Sequence, residues 1–209
     1  VHLFGAPRAG IRAGRLYPNA AGRMQQIAQI FPHDAVELFI AIRNPATFLP
    51  AVYAHTPQSD LKTLMGNAKP HDIRWSDTLA EIRQAAPNIS ITVWCHEDTP
   101  LLWAQIIREL AGLEHGTKII GGFDLLTDIM APEGMKRFRK YLKAHPVMTE
   151  IQKRRVISAF LDKFALEDPL EEELDMPGWT ETLINEMTDI YDEDVDLIQR
   201  MPGVTLIAP

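Results

Sequence analysis

Glu37-Leu-Phe-Ile-Ala-Ile-Arg-Asn-Pro-Ala-Thr-Phe-Leu-Pro-Ala-Val-Tyr53 is the stretch whose reading decides the fold. Leu38 to Ile42 is an apolar run rich in strand-favouring residues, too short for a lone helix. It shows almost no polar alternation, the pattern of a strand buried on both faces in a parallel sheet. The strand ends at Arg43-Asn44-Pro45, because Pro45 has no N–H to give to a ladder. Thr47 is the expected cap of a following helix, with Pro50 in its first turn, where a missing N–H costs nothing. The outcome is strand, tight turn and helix, with an arginine at the carboxyl end of the strand, the edge at which open α/β sheets bind ligands.

Outward from this stretch the pattern repeats. Ile89-Ser-Ile-Thr-Val-Trp-Cys95 reads as a second strand. Between the two runs, Ser76 is the expected cap of a helix through Ala86. Upstream, Asn19 caps a helix through about Phe31, its apolar face made by Met24, Ile27, Ile30 and Phe31. Val1 to Phe4 reads as the end of a strand, and Gly5 to Gly14 as a Gly/Pro-punctuated basic loop. Downstream, Thr99-Pro100 opens a helix over Leu101–Leu110, closed by Gly112. Strands alternating with helices imply right-handed crossovers and a parallel sheet with flanking helices.

From Phe123 the composition shifts. Phe123–Met130, Pro132–Ala144, Thr149–Phe164 and Thr180–Met201 all carry helical periodicity, and Gly203–Ile207 reads as a short last strand. An acidic run over residues 167–175 joins the last two helices as a charged linker. The expected organisation is an α/β core over residues 1–120 and a helical C-terminal third, residues 121–209, packed on the same domain.

Composition narrows the function classes. The 209 residues suffice for one domain with a sizeable core, and 46% apolar content argues against disorder. A net charge of −7 with scattered Lys and Arg speaks against a nucleic-acid binder. No apolar run reaches the roughly 18 residues of a membrane span, and no secretory signal is visible. A single cysteine, Cys95, excludes an intramolecular disulfide and fits a reducing cytoplasm.

At Arg43-Asn44-Pro45, with strand before and helix after, the sequence resembles the sulfotransferases, α/β enzymes related in fold to the P-loop NTPases. Two further segments are similar in order. Ile91-Thr-Val-Trp-Cys-His-Glu-Asp98 with its helix and Ala111-Gly112-Leu113 looks like a second family segment. Tyr191-Asp-Glu-Asp-Val-Asp-Leu-Ile198 before Gly203 resembles the last helix of many bacterial members, and the match is with a bacterial branch of sulfotransferase-like proteins. The resemblance covers about half the chain and implies a P-loop NTPase/sulfotransferase-like sheet, the sulfuryl donor 3′-phosphoadenylyl sulfate (PAPS), and a small-molecule or glycan acceptor.

In that family the arginine of Arg-Asn-Pro binds the donor 3′-phosphate, and Arg43 matches it. A guanidinium fork suits phosphate oxygens, and an adjacent helix N-terminus adds positive potential. A serine one turn into the helix usually joins it; here the position is Ala51. Ala6-Pro-Arg-Ala-Gly-Ile-Arg12 has the Pro, Arg and Gly of the family phosphate loop, which makes Arg8 and Arg12 further donor-binding candidates. Ala9 and Ile11 replace its hydroxyl residues, and its spacing to Arg43 is short. The favoured expectation is therefore a first βα unit lying upstream of residue 1, or missing, with residues 1–14 a loop leading from a later strand. His2 precedes Leu3 much as the family's general-base histidine precedes Leu-Pro, which makes it the candidate catalytic base.

Other clusters read more plainly. Cys95-His96-Glu97-Asp98 alternates across a strand and cannot converge on one ion, so no metal is expected, and Glu97 and Asp98 read as helix caps. Asp192, Asp194 and Asp196 lack the Gly and terminal Glu of a calcium loop and read as a solvated helix face. Trp75, Trp94, Trp103 and Trp179 read as core or half-buried packing. Two functions remain open: sulfuryl transfer from PAPS to a hydroxyl or amine, or a relative that keeps the fold, has lost the donor site and acts as a binding or scaffolding module. Ala51 and the missing hydroxyl loop favour the second; the Arg-Asn-Pro turn favours the first.

Overall fold

The computed structural model describes residues 3–4, 10–55, 64–114, 117–166, 176 and 178–209. The chain forms two compact units. One combines residues 1–96 with 174–206; the other holds residues 97–173 with 207–209. This grouping differs from a break near residue 120: the last long helix belongs with the sheet, and the helix after the second strand belongs with the later helices.

The first unit is built on a three-stranded parallel sheet, in the order β3 (Glu37–Ile42), β4 (Ser90–Cys95), β5 (Val204–Ile207). β3 and β4 pair in register from Glu37 opposite Ser90 to Ile42 opposite Cys95. The expectation of burial on both faces is corrected. Leu38, Ile40 and Ile42 on β3 and Ile91 and Val93 on β4 are buried, whereas Phe39, Ala41, Thr92 and Trp94 are only half-covered. Period-two side-chain placement puts these two sets on opposite faces.

A short antiparallel hairpin precedes the sheet, β1 (Ile11–Arg12) and β2 (Arg15–Leu16). Its two turn residues, Ala13 and Gly14, have φ of 50° and 74°. Two successive left-handed residues match the twist of a tight hairpin. Gly14 is also required by space, since a Cβ there would lie 2.1 Å from the Ala68 Cβ. The sequence reading makes this segment a loop, because two-residue strands carry no alternation to detect. Leu3 and Phe4 form a turn rather than a strand end.

Among the described residues, four long helices complete the first unit around the strands. α1 (Ala20–Ile30) packs on α3 (Trp75–Ala85), α2 (Pro45–Ala54) follows β3, and the last helix of the chain, α8 (Glu181–Gln199), packs against both α2 and α3. α1 turns Met24 into the core but leaves Ile30 and Phe31 exposed, so its expected apolar face is only half used.

The second unit is helical: α4 (Thr99–Leu110), α5 (Asp124–Ile129), α6 (Pro132–Ala144) and α7 (Glu150–Phe164). Its core is Leu126, Met130, Met135, Phe138 and Ile157. Phe138 meets Phe123 and Phe160 edge-on, at centroid distances of 5.3 and 5.4 Å, the geometry that ring quadrupoles favour. Gly134 lets α6 approach α7, since a Cβ there would lie 2.4 Å from the Phe164 Cβ. α7 opens with a reciprocal cap, in which the Gln152 amide donates to Thr149 Oγ1 and the Thr149 amide to Gln152 Oε1. Asp98 sits at the N-cap position of α4 but makes no side-chain cap bond, against expectation. Burial, together with the neighbouring Glu97 charge, pushes its carboxyl up, and no cap hydrogen bond offsets that shift. No described helix is long and apolar enough to cross a membrane. The 167–175 linker lies outside the described residues.

Candidate functional site

The candidate site is the turn at the carboxyl end of β3. Its local geometry starts from Asn44, which corrects the expected cap. Asn44 Oδ1 accepts from the Ala46 amide at 2.9 Å, and Pro45 takes the first helical position. The helix therefore begins before Thr47, because an Asx side chain followed by proline is the stronger start. The Thr47 and Phe48 amides donate to the Asn44 carbonyl at 3.0 and 2.8 Å. The first-turn N–H groups expected to face an anion are thus bonded within the turn.

Arg43 leaves the buried strand half-exposed, and its Nε donates to Thr47 Oγ1 at 3.0 Å. Thr47 Oγ1 donates in turn to the Asn44 carbonyl at 3.2 Å. The guanidinium is therefore aligned along the first turn of α2 rather than extended away from it.

Three contacts from distant parts of the chain brace this turn. The Trp75 indole N–H donates to the Arg43 carbonyl at 2.7 Å. Asn44 Nδ2 donates to Thr188 Oγ1, on α8, at 2.9 Å, and Thr188 Oγ1 donates to the Ile184 carbonyl at 2.8 Å. The Trp179 indole N–H donates to the Ala46 carbonyl at 2.8 Å. This last bond answers a vacancy that Pro50 creates. Pro50 lies inside α2, not in its first turn as expected from a later start. It has no N–H for the carbonyl four residues back, which is Ala46.

The pairing gives a test by double-mutant cycle. Trp179→Phe should cost about 1–3 kcal/mol, the penalty of an unpaired carbonyl plus lost packing. In a Pro50→Ala background the same change should cost about 1 kcal/mol less, because the alanine introduced there supplies an N–H to the Ala46 carbonyl. Urea unfolding of the four proteins measures both values. Equal costs in the two backgrounds would show that the indole does not act through that carbonyl.

Behind the turn lies an aromatic cluster. Trp75 is 1% exposed, and its ring lies 5.7 Å from Phe48 and 5.9 Å from Tyr17. Tyr17 carries a left-handed φ of 40°, a conformation costly for a bulky residue, and burial pushes its phenol pKa up. Next to this cluster, Asp194 of α8 reaches the start of α3. Asp194 Oδ2 accepts from the Trp75 and Ser76 amides at 2.7 and 3.2 Å. Ser76 is thus not the cap of α3; a carboxylate from the far end of the chain takes that role. The solvated-face reading is corrected for Asp194, which is 3% exposed, while Asp192 and Asp196 are exposed.

Of the three expected donor-binding residues, Arg43, Arg8 and Arg12, and the candidate base His2, Arg43 stands at the sheet edge. Arg12 is exposed on β1 and takes no part in the hydrogen bonds that build the Arg43 turn. Gly10 to Arg12 enters a hairpin instead of a helix, so the described part of the phosphate-loop segment lacks the strand–loop–helix setting. His2 and Arg8 lie outside the described residues. Ala51 is half-buried on α2. Among the described residues no group of three or more His, Cys, Asp or Glu side chains is placed to hold a metal ion.

The sequence reading missed Trp179, Thr188 and Asp194 as parts of this site. One signal was present: Met187, Tyr191, Asp194 and Ile198 fall at helical spacing on one stripe, and all four are buried. An acid on an apolar stripe marks a buried cap or ion pair. No family model, curated protein or solved structure significantly matches this chain.

Proposed function

We propose that the chain is a sulfotransferase-like protein of P-loop NTPase-related fold, in which Arg43 holds a phosphate of PAPS. The observation that supports this reading is the placement of Arg43 on a braced turn at the carboxyl end of β3, which is hydrogen-bonded in parallel to β4. Such an edge is where α/β sheets take nucleotide ligands, and a positioned guanidinium matches phosphate oxygens. In the reaction, a hydroxyl or amine of a small-molecule or glycan acceptor attacks sulfur. The bond from sulfur to the bridging phosphate oxygen breaks, the bisphosphate nucleotide leaves, and the acceptor proton passes to a base, for which His2 is the candidate. Catalysis of this kind is mainly positioning and charge stabilisation.

A second reading has its own support. The first-turn amides of α2 are bonded to Asn44, and Ala51 stands where a phosphate-binding serine is usual in the family. Both favour a fold-retaining binding or scaffolding module without a donor site.

Calorimetric titration of 3′-phosphoadenosine 5′-phosphate separates the two. Under the donor-site reading, Arg43→Ala should weaken binding about ten- to hundredfold, the value of one charge-assisted phosphate contact. Ala51→Ser should tighten it. Absence of binding by the wild type, or binding indifferent to Arg43, leaves the scaffold reading.

A further inference from the structure

The helical unit contains a cavity of about 480 Å³, lined by α4, α6, α7 and the segments between them. That is within the range of sites that enclose a small organic ligand, roughly 300–1,000 Å³. Its apolar wall is made by Leu101, Phe123, Leu142, Met148 and Ile157. Its charged wall is one-sided: Arg108, Lys118, Lys143, Lys153 and Arg154 face a single carboxylate, Glu150. In a chain of net charge −7 this is a local excess of positive charge.

The pairing inside the cavity leaves that excess standing. Glu150 is shared, accepting from Arg108 Nη2 at 2.8 Å and from Lys153 Nζ at 2.9 Å. Burial would raise the Glu150 carboxyl, but the Lys153 hydrogen bond with the Lys153 and Arg108 charges outweighs it, so the group is held below the usual range and stays ionised. Arg154 is spent on the Gln105 side chain and, at 2.8 Å, on the Ala208 carbonyl. Arg108 is different. Its side chain is 7% exposed, and its Nε finds no hydrogen-bond partner among the described residues. A guanidinium N–H taken out of water and left unpaired is costly, and such groups are nearly always satisfied in folded proteins.

We infer that this cavity is a binding site for a small amphipathic anion, with an apolar body against Phe123, Leu142 and Ile157 and a carboxylate or phosphate head on Arg108. An incoming anionic head balances the cations that Glu150 alone leaves in excess, with Arg108 among the lining residues it meets. The apolar wall excludes simple inorganic anions as the preferred occupant, because it would remain wetted around them. The site lies wholly within the helical unit and does not depend on the donor-site reading of Arg43.

The test uses the full chain and four probes kept below their micelle concentrations: decanoate, decyl phosphate, decanol and decylamine. Calorimetry should show one decanoate or decyl phosphate per chain, with decanol at least about tenfold weaker and decylamine weaker still; that factor is about 1.4 kcal/mol of head-group recognition. The tighter of the two anions identifies the head. Arg108→Met should abolish the preference for anion over alcohol while leaving decanol affinity within about twofold. Arg108 is buried, so Lys118→Ala/Lys143→Ala, which removes two exposed lining charges, serves where Arg108→Met does not fold. It should lower anion affinity severalfold with decanol unchanged. Methyl shifts on binding should centre on Met148 and Ile157. Equal binding of decanoate and decanol, no binding of either anion, or shifts centred elsewhere would overturn the proposal.

Discussion

Replacing Trp75 by alanine should lower the unfolding free energy by about 3–5 kcal/mol, the range for deleting a buried aromatic side chain. Trp75 is 1% exposed and touches Tyr17 and Phe48, so the cavity left behind cannot be filled by solvent. The change also frees the Arg43 carbonyl, which the indole N–H holds at 2.7 Å. Trp75→Phe separates these effects. It keeps most of the ring and loses only the donor, so it should cost about 1–2 kcal/mol. Urea unfolding followed by circular dichroism gives both values. If the proposed donor site at Arg43 exists and the indole bond fixes its turn, Trp75→Phe should weaken 3′-phosphoadenosine 5′-phosphate binding by more than its stability cost explains under fully folded conditions. A loss below about 1 kcal/mol for Trp75→Ala would mean that the cluster is not a core element.

Asp194→Ala should cost about 2–4 kcal/mol. Two amides at the start of α3 would lose a charged acceptor in a site closed to water, and hydrogen bonds to a charged group contribute about 1.5–3 kcal/mol. Asp194→Asn should cost less, since it keeps one acceptor oxygen for the Trp75 and Ser76 amides. Its new amide would fall where Asp194 Oδ1 now has no hydrogen-bond partner among the described residues. Hydrogen exchange supplies the local readout: the Trp75 and Ser76 amides should lose protection in Asp194→Ala beyond the global change. Native stabilities of about 5–15 kcal/mol make either substitution a large fraction of the whole. Unchanged protection at those two amides would show that α3 begins without this cap.

Several elements are legible in the sequence because they are written in local chemistry. β3 and β4 emerge to within a residue, since an unalternated β-branched run between turn residues has few other readings. Pro132–Ala144 emerges because Pro132 suits a first helical position, and the helices opened by Thr149 and Thr180 emerge because each hydroxyl accepts from an amide three residues on. Gly112, with φ of 61°, closes α4 where a left-handed stop is expected.

What escapes the sequence is what depends on partners far along the chain. The hairpin over residues 11–16 is missed because its strands are too short to show a period. The start of α2 is misplaced because two capping residues compete, and Asn44 followed by Pro45 prevails over Thr47. Asp194 looks solvated because its neighbours Asp192 and Asp196 are, and a charge pattern does not show what lies opposite it. The sequence alone determined the parallel pair of strands, the arginine at their carboxyl edge and the helices that follow, because propensity, capping and period act over a few residues. Only the tertiary structure decided that Trp75, Trp179 and Thr188 brace the Arg43 turn, and that Arg108 is buried with an N–H unpaired among the described residues. Burial and hydrogen-bond satisfaction are properties of assembled surfaces, and the residues that complete them here lie 32 to 144 positions from the groups they serve in the Arg43 turn.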